Sequence, residues 1–229
     1  MAKLQWDLDG QRKFEQGVSK GVLFPWDPTL NNGAGGYGKG VVWNGLTNVT
    51  QSPTGGEAEK VYADNTIYLT LRSVEELEGS IEAYTYPDEF GACDGSASVI
   101  KGFNLKQQTR QKFALCYRSE QGNDSNPEAG YKLHVIYGAT CSPSERAYET
   151  INDSPEAISF SWDFTCVPVP TTIDDVEYKP VASVELDSID LGDKIKLVEA
   201  KLYGTDAEGQ SEGTDPELLL PDAIYDLIK

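Results

Sequence analysis

The sequence predicts a mainly β protein: two packed antiparallel sheets, as a sandwich or partly rolled barrel, with one flanking α-helix and a long projecting loop. Three observations support this prediction. Apolar and polar side chains alternate over many short stretches, which is typical of strands with one buried and one solvated face. Helical periodicity occurs convincingly once, and no strand–helix rhythm suggests a βαβ unit. Twelve tyrosines against one methionine and one histidine form a β-leaning composition.

The clearest alternation lies in residues 157–165, where large apolar residues occupy every second position. Ile158, Phe160, Trp162 and Phe164 face one way, and serine, aspartate or threonine residues face the other. Three further stretches repeat this pattern and predict strands with one buried face: 66–72, 112–118 and 131–137. Weaker strand candidates are 21–24, 41–44, 80–86 and 181–187.

The predicted helix covers residues 188–203 and belongs to a single domain that spans residues 1–204. Leu191, Ile195, Val198 and Leu202 recur at helical spacing, and Gly204 supplies a C-terminal stop. Residues 205–229 are predicted to form an acidic linker and an apolar C-terminal segment. That segment is too apolar to be left in water, so it should dock on its own domain or on a neighbour.

Residues 25–59 are predicted to project from the domain as a loop or arm. Two parts of this range, 25–40 and 51–59, are rich in glycine, proline and asparagine, and they flank a stretch with strand character. Projecting loops longer than about 15 residues are usually functional or disordered. This range is therefore a candidate for contact with a neighbouring molecule.

The charge balance argues against a specific DNA-binding protein. Nineteen lysine and arginine residues against 37 aspartate and glutamate residues give a formal net charge of −18. Affinity for DNA depends largely on basic side chains that displace counterions, so a surface this acidic repels phosphates. The N-terminus lacks the apolar core of a signal peptide, and no stretch is long enough for a membrane span. We therefore expect synthesis in a cytosol and no membrane association.

The four cysteines, which have no Cys-x-x-Cys spacing, are predicted to be buried free thiols. Cys93 stands in Gly91-Ala92-Cys93-Asp94-Gly95, which has the shape of a nucleophile elbow. A hydrolase would need a base, and the only histidine, His134, sits in the middle of a predicted strand. The elbow also lacks its strand–turn–helix context, so a structural histidine and an inert cysteine are the better interpretation.

Other motifs are equally incomplete. The glycine-rich run 33–40 lacks the helix that a dinucleotide-binding loop opens and the serine or threonine that a P-loop places after its lysine. The Asp7–Gly10 segment begins like a calcium loop but lacks its later ligands. Clustered carboxylates at 75–78 and 88–89 are expected by chance among 37 acidic residues. Glycosylation sequons occur at Asn48, Asn123 and Asn152, but the sequence shows no signal for secretion that would expose them to glycosylation. We expect no catalytic site, cofactor or metal.

Eight blocks of the sequence carry a resemblance to a known family: 21–25, 39–47, 62–65, 81–90, 93–95, 107–110, 130–134 and 151–157. Together they resemble the major tail proteins, or tail tube proteins, of long-tailed bacteriophages, especially siphophages of Gram-positive hosts. Their order and spacing match that family over about residues 1–204, and the last 25 residues match less well.

The resemblance implies a tail-tube-like fold and homohexameric rings that stack into a tube for DNA ejection. It also implies a non-contractile virion tail, made in the bacterial cytoplasm. The partners would be further copies of the chain, a tape-measure protein, and tail terminator or distal tail proteins, while genomic DNA passes through without specific binding. Candidate contacts between subunits or rings are Pro25, Trp26, Tyr37, Lys39, Trp43, Leu218, Leu219 and Leu220.

The acidity has a physical role under this interpretation. DNA must slide through the tube without sticking, and basic side chains on the wall would create binding sites. We therefore expect polar, acidic strand faces to line the channel, although the sequence leaves open which strands these are. Two alternatives remain: another tail component of the same fold, such as a terminator or distal adaptor, and a carbohydrate-binding β-module. A hydrolase is the weakest alternative, and it is kept because fold alone never fixes function.

Overall fold

The computed structural model describes residues 3–148, 150–151, 153, 157–207 and 213–229. Residues 152 and 154–156, which belong to the last block of the resemblance and to one sequon, lie outside the described residues. Strands make up 49% and helices 13%, with antiparallel sheets throughout, and this confirms the mainly β prediction. No helix among the described residues has the length and apolar character needed to cross a bilayer.

The strands and helices follow one another in a strand-rich order, with the longer helices near the C-terminus. The strands are β1 Lys13–Asp27, β2 Gly36–Tyr37, β3 Val41–Trp43, β4 Leu46–Gly55, β5 Ala58–Ala63, β6 Thr66–Arg72, β7 Glu75–Ala83, β8 Ala97–Ile100, β9 Phe103–Leu105, β10 Phe113–Asn123, β11 Gly130–Cys141, β12 Phe160–Cys166, β13 Val169–Ile173, β14 Val176–Val181 and β15 Ser183–Asp187. The helices are α1 Leu30–Gly33, α2 Phe90–Cys93, α3 Ser188–Leu191, α4 Lys194–Leu202 and α5 Pro221–Ile228.

Every stretch with clear alternation forms or overlaps a strand. The range 66–72 is β6, 112–118 lies mostly in β10, 131–137 lies in β11, and 157–165 overlaps β12. In β12, Trp162 and Phe164 are buried while Ser161 and Asp163 are exposed, as the alternation predicts. The periodicity of the sequence therefore located the strands well.

The main sheet has nine strands and divides into two layers. Its order is β2-β1-β10-β11-β12-β7-β4, with β3 beside β1 and β15 beside β11. The division occurs in β11, because one edge of this strand pairs with β15 over 132–136 and with β12 over 139–141. Gly138 lies between the two halves at φ 62°, and a Cβ there would come within 2.2 Å of the Val167 carbonyl oxygen.

The sheet curls until β1 contacts β4, and the interior between the layers holds the first hydrophobic core. Trp43, Phe90 and Trp162 lie at its centre, where their rings pack at tilted and edge-on angles with centroids 4.5–5.8 Å apart. Aromatic pairs favour such geometries. The remaining large buried members include Leu23, Ile81, Phe113, Leu115, Ile136 and Phe164.

A second core lies on the outer face of the β1, β10 and β11 layer, under the helices. Strand residues such as Phe24, Val135 and Tyr137 meet Ile195 and Val198 of α4 there. This layer is therefore buried on both faces. The alternation in 112–118 and 131–137 predicted one wet face, and the difference arises because the helices cover that face.

The helix predicted over 188–203 is present but interrupted. The Asp187 side chain caps α3 by accepting hydrogen bonds from the Ile189 and Asp190 amides. Gly192, at φ 58°, separates α3 from α4, and Gly204, at φ 76°, follows the end of α4 as the sequence predicted. The apolar C-terminal segment forms a further short helix, α5, which the sequence analysis did not identify.

The predicted linker and tail pack onto the domain. Thr205 and Thr214 form an isolated antiparallel bridge, while residues 208–212 lie outside the described residues. The Tyr137 hydroxyl donates a 2.9 Å hydrogen bond to the Leu219 carbonyl, and Ile224 of α5 is buried in the second core. The C-terminal segment therefore docks on its own domain, which is one of the two expected outcomes.

The projecting element lies further along the chain than the predicted 25–59 range. Residues 25–43 fold back along β1 through β2 and β3, and most of the remainder is β4 in the main sheet. The part that projects is the β5–β6 hairpin, whose residues are exposed except for the half-buried Ala63. The glycine and proline content of 25–40 reflects tight turns and close packing rather than projection.

Candidate functional site

Three of the predicted contact residues, Pro25, Trp26 and Tyr37, cluster at the end of β1. Trp26 packs edge-on against Tyr37, with ring centroids 5.1 Å apart, and Lys112 Nζ lies 3.5 Å above the Trp26 ring. The Tyr37 hydroxyl accepts a 2.9 Å hydrogen bond from the Gly138 amide. Pro25 lies opposite Phe113 in the sheet. These three residues are half-buried, and their contacts hold the glycine-rich loop against its own sheet.

The other predicted contact residues are divided between the interior and the surface. Trp43 is 2% exposed in the first core, and its indole donates to the Thr85 carbonyl. Leu219 is buried and Leu218 half-buried in the second core, whereas Leu220 is 41% exposed. Lys39 is exposed and forms an ion pair with Asp215. Of the eight residues, Lys39 and Leu220 are therefore the exposed ones.

The outward face of β4, β7 and β12 is entirely polar and carries only negative charge. The register aligns Thr165 with Glu78 and Ser52, Asp163 with Ser80 and Thr50, and Ser161 with Glu82 and Asn48. Glu76, opposite Thr54, extends the same face. We call this surface the acidic face; its residues are Asn48, Thr50, Ser52, Thr54, Glu76, Glu78, Ser80, Glu82, Ser161, Asp163 and Thr165.

The sequence contains a signal for the acidic face that the sequence analysis missed. None of the three strands contains lysine or arginine. Their proximity could not be read from the sequence, because β12 lies about eighty residues beyond β7. Among the described residues β4 has a strand partner on one side only, and Pro53 within it is typical of an edge strand. The acidic face therefore ends at an open sheet edge.

The β5–β6 hairpin exposes an apolar face that no other described part of the chain covers. Ile67, Leu69 and Leu71 point to one side of β6, with Val61 of β5 opposite Leu69. Ile67 is 51% and Leu71 56% exposed. The alternation in 66–72 predicted one buried face, and within this chain that face stays in contact with solvent. An isolated two-stranded hairpin is at best marginally stable in water, so a partner would stabilise it.

Two further hairpins carry exposed apolar side chains. In β8–β9, Ile100 is 68% and Phe103 53% exposed, and in β13–β14, Val176 and Tyr178 are each more than half exposed. Soluble monomers rarely expose contiguous apolar patches of several hundred Å², and larger ones mark interaction surfaces. Together with the β5–β6 hairpin, these elements expose large apolar side chains, whereas the acidic face carries only polar and negatively charged ones.

A polar cluster around His134 links four strands of the main sheet. His134 Nε2 lies 2.9 Å from Ser119 Oγ, and the Ser119 hydroxyl donates a 2.5 Å hydrogen bond to Glu15. Lys132 Nζ lies 3.0 Å from Glu15 and 2.7 Å from Glu185. The cluster brings together a hydroxyl, an imidazole and carboxylates, but Ser119 is 6% exposed and held inside the sheet. We interpret it as a structural tie.

The surroundings of this cluster have opposing effects on the pKa values of His134 and Glu15. Burial lowers the pKa of His134, against the raising effect of the Glu185 and Glu15 carboxylates. Burial raises the pKa of Glu15, but hydrogen bonds from Ser119 and Lys132 outweigh it, so this pKa is lowered overall. The Tyr117 ring stacks on the imidazole with centroids 4.8 Å apart, and its hydroxyl accepts from Gln51 of β4.

Because of this cluster, we expect the free energy of unfolding to decrease in two stages as the pH falls. The unfolded chain protonates a histidine near 6.5, above the lowered pKa of folded His134, so the free energy of unfolding should decrease below about pH 6.5. A second loss should begin below about pH 4.5, as the pH falls through the lowered pKa of Glu15. Urea unfolding between pH 7.5 and 3.5 measures both stages.

The matched control for the first stage is His134→Gln, because His134 is the only histidine in the sequence. This variant should lose the step near pH 6.5 and keep the one below pH 4.5. A wild-type chain that becomes more stable between pH 7.5 and 5.5 would contradict the prediction, since it would mean that the two carboxylates raise the pKa of His134.

The structure describes the surroundings of two motifs that resemble catalytic or binding sites, Cys93 and the glycine-rich loop. Cys93 ends α2 inside the first core, and burial raises the pKa of its thiol to about 12, which disfavours the nucleophilic thiolate. All four cysteines are free and buried, as predicted. The glycine-rich loop is followed by β3 rather than a helix. Over the ranges that the structure describes, no group of three histidine, cysteine, aspartate or glutamate residues is arranged to hold a metal.

Comparison with known proteins yields no relative that would assign the site. No known family model matches the chain, and no curated protein matches it significantly. The acidic face and the apolar hairpins are therefore the features from which a function is inferred.

Proposed function

We propose that this chain is a structural, non-enzymatic tail tube protein of a long-tailed bacteriophage, which assembles into stacked homohexameric rings. The observation that carries the proposal is the uncovered apolar face of the β5–β6 hairpin. A strand with this alternation is built to be buried on one side, and the chain itself leaves that side in water. Further copies of the same chain are the partners that a closed ring supplies.

The free energy available from covering this face is considerable. Full burial of a leucine or isoleucine side chain contributes about 1.5–3 kcal/mol relative to full exposure. Ile67, Leu69 and Leu71 are between a third and a little over half exposed, so part of that contribution is unused in the monomer. Six hairpins in each ring, together with the β8–β9 and β13–β14 hairpins, would multiply the effect.

The acidic face is the surface best suited to line a DNA channel. It combines hydroxyl and amide side chains with the carboxylates of Glu76, Glu78, Glu82 and Asp163, and its strands contain no basic residue. Repulsion between carboxylates and phosphates acts within about 8 Å at physiological salt. DNA near such a wall would meet no attractive charge. The open edge of β4 would let neighbouring subunits extend this wall, because unpaired strand edges favour pairing with other chains.

The other partners of the proposed tube are the tail proteins that the sequence resemblance implies. A tape-measure protein would occupy the channel during assembly, and terminator and distal tail proteins would close its ends. The chain would be synthesised in the bacterial cytoplasm and end in a virion tail. A terminator or distal adaptor of the same fold would also expose apolar hairpins, but it would form single rings rather than tubes.

Assembly of the purified chain tests the proposal, with Leu71→Asp as the decisive variant. Wild-type protein should form hollow rings or tubes in electron micrographs on concentration, and sedimentation should show hexamers or larger species. Leu71→Asp should raise the concentration needed for assembly at least about tenfold, because a charge at this face would have to be desolvated. The monomer should remain folded, since Leu71 is more than half exposed.

The matched control is Thr70→Asp, which adds the same charge to the opposite face of the same strand. This variant should assemble nearly as well as the wild type. Chains that stay monomeric at all concentrations and bind a glycan at micromolar affinity would instead favour the carbohydrate-binding module. Thiol-sensitive hydrolysis would favour Cys93 chemistry.

A further inference from the structure

The segment that precedes β1 has the sequence pattern of a strand but no strand partner. Leu4, Trp6 and Leu8 alternate with polar residues and are 74%, 75% and 41% exposed. Period-two alternation of this kind predicts a strand with one apolar face. Among the described residues the segment pairs with no other strand, so its apolar face is uncovered.

The segment is fixed to the body of the molecule at one end only. The Gly10 amide donates a 2.9 Å hydrogen bond to Asp124, and the Arg12 guanidinium lies 3.8 Å from the same carboxylate. Arg12 also donates to the Asp7 carbonyl. The chain therefore leaves the sheet at the end where Lys13 pairs with Asn123. It turns there, since the Gln11 amide donates to the Leu8 carbonyl, and Asp7 stands in the left-handed region at φ 57°.

The open edge of β3 offers an apolar surface that matches the apolar face of this segment. This short strand pairs with β1 on one side, and over the residues that the structure describes it has no strand partner on the other. A groove of about 360 Å³ lies beside it, with Val42, 64% exposed, on its wall. The other main apolar walls are Val22, Leu202, Tyr203 and Pro216, and Lys20 lies at the rim.

The segment cannot reach this groove within its own chain. Val22 pairs with Cys116, whereas the segment leaves beside Asn123, seven residues further along β10. At about 3.3 Å per residue this separation is about 23 Å. From Gly10 to Trp6 the chain spans at most about 14 Å, even fully extended. A groove that receives Trp6 must therefore belong to a second copy of the chain.

We propose that residues 4–8 of one copy add as a strand to the open edge of β3 in a second copy, with Trp6 in the groove. Docking would convert Asp7 from its left-handed conformation to an extended one and release its carbonyl from Arg12. Strand addition of this kind takes its affinity from backbone hydrogen bonds and its specificity from pockets for alternate side chains. Charge complementarity favours the same pairing, because Asp7 lies among the docked residues, Asp9 follows them, and Lys20 lines the groove. The inference rests on the proposed function in that it requires self-assembly.

The experiment uses two full-length variants, Trp6→Cys and Val42→Cys, mixed under assembly conditions and oxidised gently. Both positions are exposed, and the four native cysteines are buried, so a new disulfide reports on the introduced pair. We expect a disulfide-linked dimer in the mixture at a yield at least about tenfold above that of either variant alone. The matched control pairs Trp6→Cys with Tyr178→Cys, another exposed position, and should show little dimer.

The outcomes separate this inference from the proposed function. Rings or tubes without the 6–42 disulfide would overturn the inference and leave the tube proposal intact. A 6–42 disulfide in a simple dimer that never forms rings would support strand addition and count against the tube. Monomers without the disulfide would overturn both. Trp6→Ser provides a second measurement, and an unchanged assembly concentration for this variant would also contradict the inference.

Discussion

Replacing Trp162 with alanine should reduce the free energy of unfolding by about 3–5 kcal/mol, the usual cost of removing a large buried aromatic side chain. Trp162 is 1% exposed and contacts the rings of Trp43, Phe90 and Tyr86. Its indole donates a 3.1 Å hydrogen bond to Asp94, which also pairs with Arg146. The substitution removes the centre of the first core and one donor to a mostly buried carboxylate. Urea unfolding of the monomer measures the loss.

The control is the same substitution at an exposed tryptophan. Trp6→Ala removes a side chain that is 75% exposed and should change the stability of the monomer by less than about 0.5 kcal/mol. Trp162→Phe should fall between the two, because it keeps most of the ring volume but leaves Asp94 without the indole donor. If Trp162→Ala costs no more than Trp6→Ala, the assignment of the first core is wrong.

If the chain forms the proposed tail tube, placing a lysine on the acidic face should halt or strongly slow DNA release from particles built with it. Thr165→Lys introduces the first basic side chain into strands that have none. A lysine ammonium 4 Å from a phosphate gains about 1 kcal/mol even in bulk water. In the proposed tube of hexameric rings, six copies in every ring would repeat this attraction along the whole channel. The rate of DNA release, followed with a fluorescent dye, measures the effect.

Thr172→Lys, which adds the same charge to an exposed threonine of β13, should leave DNA release unchanged. A triple neutral variant, Glu78→Gln, Glu82→Gln and Asp163→Asn, removes repulsion without adding attraction and should slow release to a smaller extent. Unchanged release in both acidic-face variants, with well-formed tubes, would show that this face does not line the channel.

The local features of the fold could be predicted from the sequence because their causes are local. Alternation placed β6, β10, β11 and β12, since side chains of a strand point alternately to its two faces. Leu191, Ile195, Val198 and Leu202 located the helical region, and Gly204 marked its end. The sequence did not reveal the break at Gly192 or the helix α5, whose eight residues are too few for a periodicity argument.

The candidate surfaces could not be predicted in the same way. Trp26 and Tyr37 looked like contact residues, yet they pack against each other and hold their own loop. The apolar side chains of β6 looked like a buried face, and only the position of the hairpin shows that they are uncovered. Whether a side chain is buried depends on which other parts of the chain lie near it. The alternation of apolar and polar residues along one strand carries no information about those parts.

The sequence by itself determined that this is an acidic, mainly antiparallel β protein with a helical region near residues 188–203, buried cysteines and incomplete catalytic motifs. Only the tertiary structure decided which strands are neighbours, and therefore that the basic-free strands β4, β7 and β12 share one face. It also decided that β11 pairs with β15 and β12 along one edge, which opens the sheet into two layers. The physical reason is that periodicity is a property of neighbouring residues, whereas strand partners and register are fixed by contacts between distant parts of the chain.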